Sequence, residues 1–216
     1  MTDALDDFLQ ADELNEAARL AQSLKLDERD TARVRAIITT WEDPQPVVNL
    51  LRYPLLMPED VRREALLRGL QAPQTYATLA AIVGLQGGVA WWSEPDRAVI
   101  VARLLTLIFE GTPVIADRAS VTLSEYARRE DAERLLFFVG YPGKVVAHNA
   151  LITLVRLLGA QETQQRIQDA YANGRVSQAA LDYCAKHLAA AQDGSLLLTY
   201  IPNLKDSSAS VRRSGL

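Results

Sequence analysis

Cysteine and histidine are almost missing from this chain. Among 216 residues, Cys184 is the single thiol, and His148 and His187 are the two imidazoles. One cysteine excludes an intramolecular disulfide framework, and so few soft ligands argue against a Cys/His zinc site. The sequence also lacks G-x-x-x-x-G-K, G-x-G-x-x-G, H-E-x-x-H, C-x-x-C and G-x-S-x-G, the short motifs that carry phosphate, dinucleotide, zinc, redox or acyl-transfer chemistry. No motif therefore implies a catalytic residue, a cofactor or a metal. An enzyme would need groups that converge from distant segments. Long apolar runs are missing too: Ala98–Phe109 is interrupted by Arg103 and falls short of the roughly 20 residues that cross a bilayer. The acidic start has no basic stretch leading into an apolar one, so it does not read as a secretory signal. The expectation is a cytoplasmic protein with no membrane span.

Charge is uneven. Residues 1–31 hold nine acids against three bases, a net of −6, while the remainder holds 18 acids and 20 bases, a net of +2. A duplex-DNA binder usually carries a strongly basic face, so nucleic acid is disfavoured as a partner. Of the 23 bases, 19 are arginine, whose planar fork suits carboxylate pairing.

Apolar periodicity is helical throughout. Leu5, Phe8, Leu9, Leu14, Ala17, Leu20 and Ala21 predict one or two amphipathic helices over 2–24. Val34, Ile37, Ile38 and Trp41 stripe the next helix, with Asp27, Glu28 and Asp30 at its dipole-favoured start. A short helix over 46–53 precedes a longer one over 58–70, and another over 72–84 ends at a glycine. Gly87-Gly88 and Trp91-Trp92 break the rhythm, and Ser93-Glu94-Pro95-Asp96 has the pattern that opens a helix. The helix over 98–109 is apolar nearly all round and reads as a central strut. Helices then follow near 113–128, 131–140, 143–158, 162–173, 175–192 and 195–204.

The long helices look like copies. Val61, Ile115, Val146, Val176 and Val211 form one column, spaced 54, 31, 30 and 35 residues apart. Four residues later stand Ala65, Ala119, Ala150, Ala180 and Gly215, small residues that let an adjacent helix approach closely. Such a period is the signature of stacked helical repeats. Pro58-Glu59-Asp60-Val61-Arg62-Arg63-Glu64-Ala65-Leu66, echoed by Ser210-Val211-Arg212-Arg213-Ser214, resembles the second helix of a HEAT repeat. The middle copies depart from it, with Ala116-Asp117, Ala147-His148 and Ser177-Gln178 in place of the arginine pair. The resemblance to HEAT/armadillo-like bacterial helical repeat proteins covers about residues 45–216. It implies an all-α, right-handed solenoid of antiparallel helix pairs, about 11–13 helices in all. An acidic helical cap over 1–26 would join a repeat domain over 27–216 as one continuous unit.

In such stacks the long helices line the concave side. Arg62, Arg63, Lys144, His148, Arg175, Gln178, Arg212 and Arg213 flank the buried column and become candidates for gripping a protein or acidic peptide; a solvated face of i, i+4 pairs is the alternative. Trp91 and Trp92 are candidate aromatic anchors in a glycine-containing loop, or packing beneath it. Cys184 and His187, three apart on one helix face, are a thin ligand pair, read more simply as a core thiol and a surface imidazole. The functional expectation is a non-catalytic protein–protein interaction scaffold. The resemblance leaves two alternatives. One is a base-binding protein or enzyme like the helical-repeat DNA glycosylases, with Trp41, Trp91, Trp92, Asp117 and Arg118 supplying the residue types. The other is a phycobilin-lyase-like chaperone.

Overall fold

The computed structural model describes residues 3–193. They form twelve α-helices joined by short turns, with no strand among the described residues. The predicted helix over 195–204, together with Val211, Arg212, Arg213 and Gly215, lies outside them. The chain divides into two compact units, residues 1–93 and 94–216.

The first unit contains α1 (Ala4–Gln10), α2 (Leu14–Ser23), α3 (Glu28–Thr40), α4 (Pro44–Arg52), α5 (Glu59–Gln71) and α6 (Thr75–Leu85). Side-chain caps set three of its helix starts. Asp3, Asp27 and Asp43 accept the backbone N–H of Leu5, Asp30 and Gln45 at 3.1, 2.8 and 3.2 Å, satisfying donors that a helix start leaves without partners. The helix α4 is central: α1, α3, α5 and α6 all pack against it. Its Asn49 is fully buried and donates to the carbonyls of Phe8, Leu9 and Ala11 at 2.9–3.2 Å, closing the end of α1.

The most enclosed helix of this unit is α6, buried at eight of its eleven positions. Its run of Ala77, Ala80, Ala81 and Gly84 explains why. A Cβ on Gly84 would stand 1.9 Å from the Leu51 carbonyl oxygen, so this glycine lets α4 and α6 touch backbone to side. The sequence suggested that Gly84 stops the helix; instead it lies one residue inside the end and serves a close approach.

The second unit contains α7 (Glu94–Glu110), α8 (Pro113–Tyr126), the short α9 (Ala132–Leu135), α10 (Lys144–Leu158), α11 (Ala160–Ala172) and α12 (Gln178–Asp193). The helix α10 is the hub, packing on α8, α11 and α12. The expected strut, α7, buries Ile100, Val101, Leu104, Leu105, Leu107 and Ile108 on one side while Val99 and Phe109 stay exposed. It is a one-faced helix, not one enclosed all round. Where one helix was expected over 131–140, the chain makes a 3-10 turn, the four-residue α9 and a second 3-10 turn. The first of these turns is anchored by Arg97, only 5% exposed, whose guanidinium meets Asp131 at 3.0 Å, Glu130 at 2.7 Å, Glu94 at 3.1 Å and the Tyr126 carbonyl at 3.1 Å. Asp131 also accepts the Arg128 N–H at 2.9 Å, which fixes the turn.

The small-residue column is buried wherever it is described: Ala65, Ala119, Ala150 and Ala180 are all in the core. Of the column four residues earlier, Ile115 and Val146 are buried, whereas Val176 precedes α12 and lies outside any helix. The acidic start is tied to α3, where Arg33 pairs with Asp3 at 2.8 Å and with Asp6.

Candidate functional site in the second unit

The turn Gly140–Gly143 brings the start of α10 beside α12. A Cβ on Gly140 would come within 2.9 Å of the Ala180 nitrogen, so only glycine lets the turn lie flat on α12. The Tyr141 hydroxyl donates to the Ile108 carbonyl at 3.1 Å and ties the turn to the end of α7. An open cleft of about 750 Å³ results, walled by this turn, Lys144 and His148 of α10, and Asp182, Tyr183, Lys186 and His187 of α12.

Both histidines of the chain meet here. The ring centroids of His148 and His187 are 5.2 Å apart, and the Tyr183 ring lies 5.4 Å from the first and 4.5 Å from the second. His148, 6% exposed, places Nδ1 at 2.7 Å from the Lys144 carbonyl. A carbonyl can only accept, so Nδ1 carries the proton in this contact. Burial holds His148 below the ordinary imidazole range; the Lys144 carbonyl opposes that, and the charges of His187 and Lys144 reinforce it. Burial, with the Lys186 charge, lowers His187 as well. Lys144 and Lys186 are exposed at the rim and form no ion pair among the described residues. The single carboxylate of the wall, Asp182, accepts from the Gln178 amide at 2.8 Å. The cleft is thus lined by two ammonium groups, two imidazoles, two phenols and one carboxylate.

The predicted residues scatter. Lys144 and His148 lie in this cleft, and Gln178 supports it through Asp182. Arg175 sits elsewhere, 2.8 Å from Glu133 and with its guanidinium 5.9 Å from the Phe137 ring. Arg62 and Arg63 belong to the first unit. Arg62 donates to the carbonyls of Pro54 and Met57 at 2.9 and 3.0 Å and lies 5.1 Å from the Trp91 ring. Arg63 lines an open cleft of about 740 Å³ with Trp41, Asp60, Glu64 and Arg68. Trp91 is 41% exposed and walls a separate, largely apolar cleft of about 460 Å³ with Leu55, Tyr53 and Val83, while Trp92 is half-buried. Trp41 is half-buried rather than core. It ends α3 at φ 58° beneath the Arg68 guanidinium, 4.4 Å away. Asp117 and Arg118 are in the second unit on α8, where burial raises the first and lowers the second despite their mutual attraction.

Lys186, His187 and Tyr183 were missed as a group. Their signal was the i, i+3, i+4 spacing of Tyr183, Lys186 and His187 along one face of α12, obscured by pairing His187 with Cys184. That thiol is buried, and burial raises its pKa. Among the described residues no group of three or more His, Cys, Asp or Glu could hold a metal ion. No described helix is long and apolar enough to cross a membrane. Comparison with protein-family models, curated proteins and solved structures finds no match.

Proposed function

We propose that this chain is a non-catalytic interaction scaffold that captures an acidic segment of a partner protein in the cleft between α10 and α12. One observation supports this reading above the others. Lys144 and Lys186 stand at the rim with no ion-pair partner among the described residues, and they outnumber the one carboxylate of the wall, Asp182. Most arginines near carboxylates are spent on internal pairs, so the acidic-peptide groove contracts from the broad set of candidates to this cleft. The period of about 30 residues and the buried alanine column support a stack of antiparallel helix pairs of the HEAT/armadillo type, right-handed as such stacks are.

The test is fluorescence anisotropy with a labelled eight-residue glutamate-rich peptide and a lysine-rich control. The acidic peptide binds, weakens with added salt, and loses about tenfold in affinity when Lys144→Glu and Lys186→Glu are combined, since each exposed charge contributes up to about 1 kcal/mol and reversal adds repulsion. Equal binding of the lysine-rich control, or no binding of the acidic peptide, would overturn the proposal.

A further inference from the structure

We infer that the apolar cleft of the first unit is a binding site for a small, neutral aromatic molecule that stacks on Trp91 and carries one N–H or O–H donor. This inference stands apart from the acidic-segment reading and uses residues of the first unit alone. The cleft has a volume of about 460 Å³, within the range of about 300–1,000 Å³ typical of small-molecule sites. Its walls come from the ends of three helices: Ala21 and Gln22 of α2, Tyr53 just after α4, and Val83 of α6. Leu55 and Trp91 join them from the 3-10 turns that follow α4 and α6. Helix ends that converge make a compact recess. A partner helix instead needs a long groove, so the shape favours a small ligand over a peptide.

Trp91 is held in place before any ligand arrives. A Cβ on Gly88 would stand 2.7 Å from its ring, so this glycine lets the ring lie against the backbone. Arg62 places its guanidinium 5.1 Å from the ring centroid and is itself fixed by the carbonyls of Pro54 and Met57 at 2.9 and 3.0 Å. Tyr53 is fixed as well, its hydroxyl donating to the Leu14 carbonyl at 3.4 Å and its ring set edge-on to Phe8, 5.9 Å away. Walls that need not reorder add little to the entropic cost of binding. Trp91 is nevertheless 41% exposed and Leu55 70% exposed, which leaves apolar area for a ligand to cover.

Charge then selects the ligand. Three helix C-termini present the negative ends of their dipoles and carbonyls that can only accept, which disfavours an anion and suits a donor. A cation is opposed by Arg62 beside Trp91 and by Arg52, the one charged side chain of the wall among the described residues, which has a partner of its own. A neutral molecule with a donor satisfies both conditions.

The experiment is titration of the full chain with N-phenyl-1-naphthylamine, a neutral aromatic dye that brightens in apolar surroundings. Bound dye is then displaced at pH 7 with indole, indole-3-acetate and tryptamine, which share one ring system and differ in charge. The dye binds, and indole displaces it at about tenfold lower concentration than either charged analogue. Leu55→Glu and Trp91→Ala each weaken the dye about tenfold with unchanged far-UV circular dichroism. Phe109→Glu, at an exposed apolar side chain of the second unit, binds dye as the wild type does. No brightening, dye affinity unmoved in both cleft variants, or displacement by a charged analogue as strong as by indole overturns the inference. Displacement by a leucine-rich amphipathic helical peptide but not by indole overturns it too, and assigns the cleft to a protein partner. None of these outcomes bears on the peptide titration of the α10–α12 cleft.

Discussion

Replacing Arg97 by methionine tests whether the second unit is held by a buried charge network or by its apolar core alone. The guanidinium is 5% exposed and meets three carboxylates and one carbonyl. Those partners do not count equally. Glu94 and Glu130 have side chains 58% and 62% exposed, so water re-solvates them once Arg97 is gone, and each loss is small. Asp131 is different: it is 8% exposed, and without Arg97 it keeps the Arg128 N–H but loses its buried counter-charge. Breaking a buried pair from one side costs about 3–5 kcal/mol. The retained N–H bond places this case near the lower end, at about 3 kcal/mol. Methionine preserves much of the aliphatic volume, so the change removes charge more than packing. With a urea slope of about 2 kcal/mol/M, the unfolding midpoint falls by about 1.5 M. The assay must be far-UV circular dichroism, because all three tryptophans lie in the first unit and their fluorescence does not report on α7. Glu130→Gln serves as the exposed control and shifts the midpoint by less than about 0.5 M. A shift in Arg97→Met no larger than in this control would refute the assignment of the network as a buried determinant.

Two further outcomes follow from single positions. Gly84→Ala destabilises the chain by at least about 2 kcal/mol, because its Cβ would stand 1.9 Å from the Leu51 carbonyl and must force α4 and α6 apart. Gly87→Ala, at φ +74° with open space around it, costs only about 1 kcal/mol of backbone strain; comparable losses in urea melts would mean that α4 and α6 are not in close contact. Burial depresses both histidines in the folded state, so the unfolded chain binds more protons below an imidazole pKa of about 6.5. Their stabilising contribution is complete above that pH and is lost as pH falls through the depressed folded values. Thermal melts of the free chain between pH 7.5 and 5.5 should therefore show a declining Tm, and His148→Gln should lessen the decline; a Tm that rises on acidification would contradict the burial of the pair.

Helix positions were legible because local chemistry decides them. Asp27 and Thr112 cap where a polar residue precedes an apolar period, and the buried alanines fall where the column puts them. The errors came from partners that no local pattern names. Gly84 looks like a stop signal until the Leu51 carbonyl is seen against it. The segment 129–138 has the composition of one helix, but Asp131 sits in a turn anchored by Arg97, more than 30 residues earlier. The cleft was half legible for the same reason. Lys144 and His148 were found from their place on α10. Tyr183, Lys186 and His187 become a wall only once the Gly140 turn sets α12 beside the start of α10.

The bases divide by chemistry in a way that links the repeat to the proposed site. Helix ends leave carbonyls without partners, and a cation there also meets the negative end of the helix dipole. Arg68 donates to the carbonyls of Ile38 and Thr39, 30 and 29 residues earlier, at the end of α3. Arg156 does the same for Ser124 and Ala127, 32 and 29 residues earlier, at the end of α8. Arg129 reaches Leu157, 28 residues later, at the end of α10, and Glu162 beyond it. These separations lie close to the spacing of about 30 residues carried by the small-residue column, each arginine reaching the end of another helix. The guanidinium fork suits that duty, since it can hold two carbonyls or a carbonyl and a carboxylate at once. An arginine so engaged has little left to offer a ligand, so the abundance of arginine does not by itself mark a groove. Lysine has a single mobile ammonium and bridges layers poorly. On the proposed reading, Lys144 and Lys186, which line the cleft between α10 and α12, are the bases that meet an acidic segment.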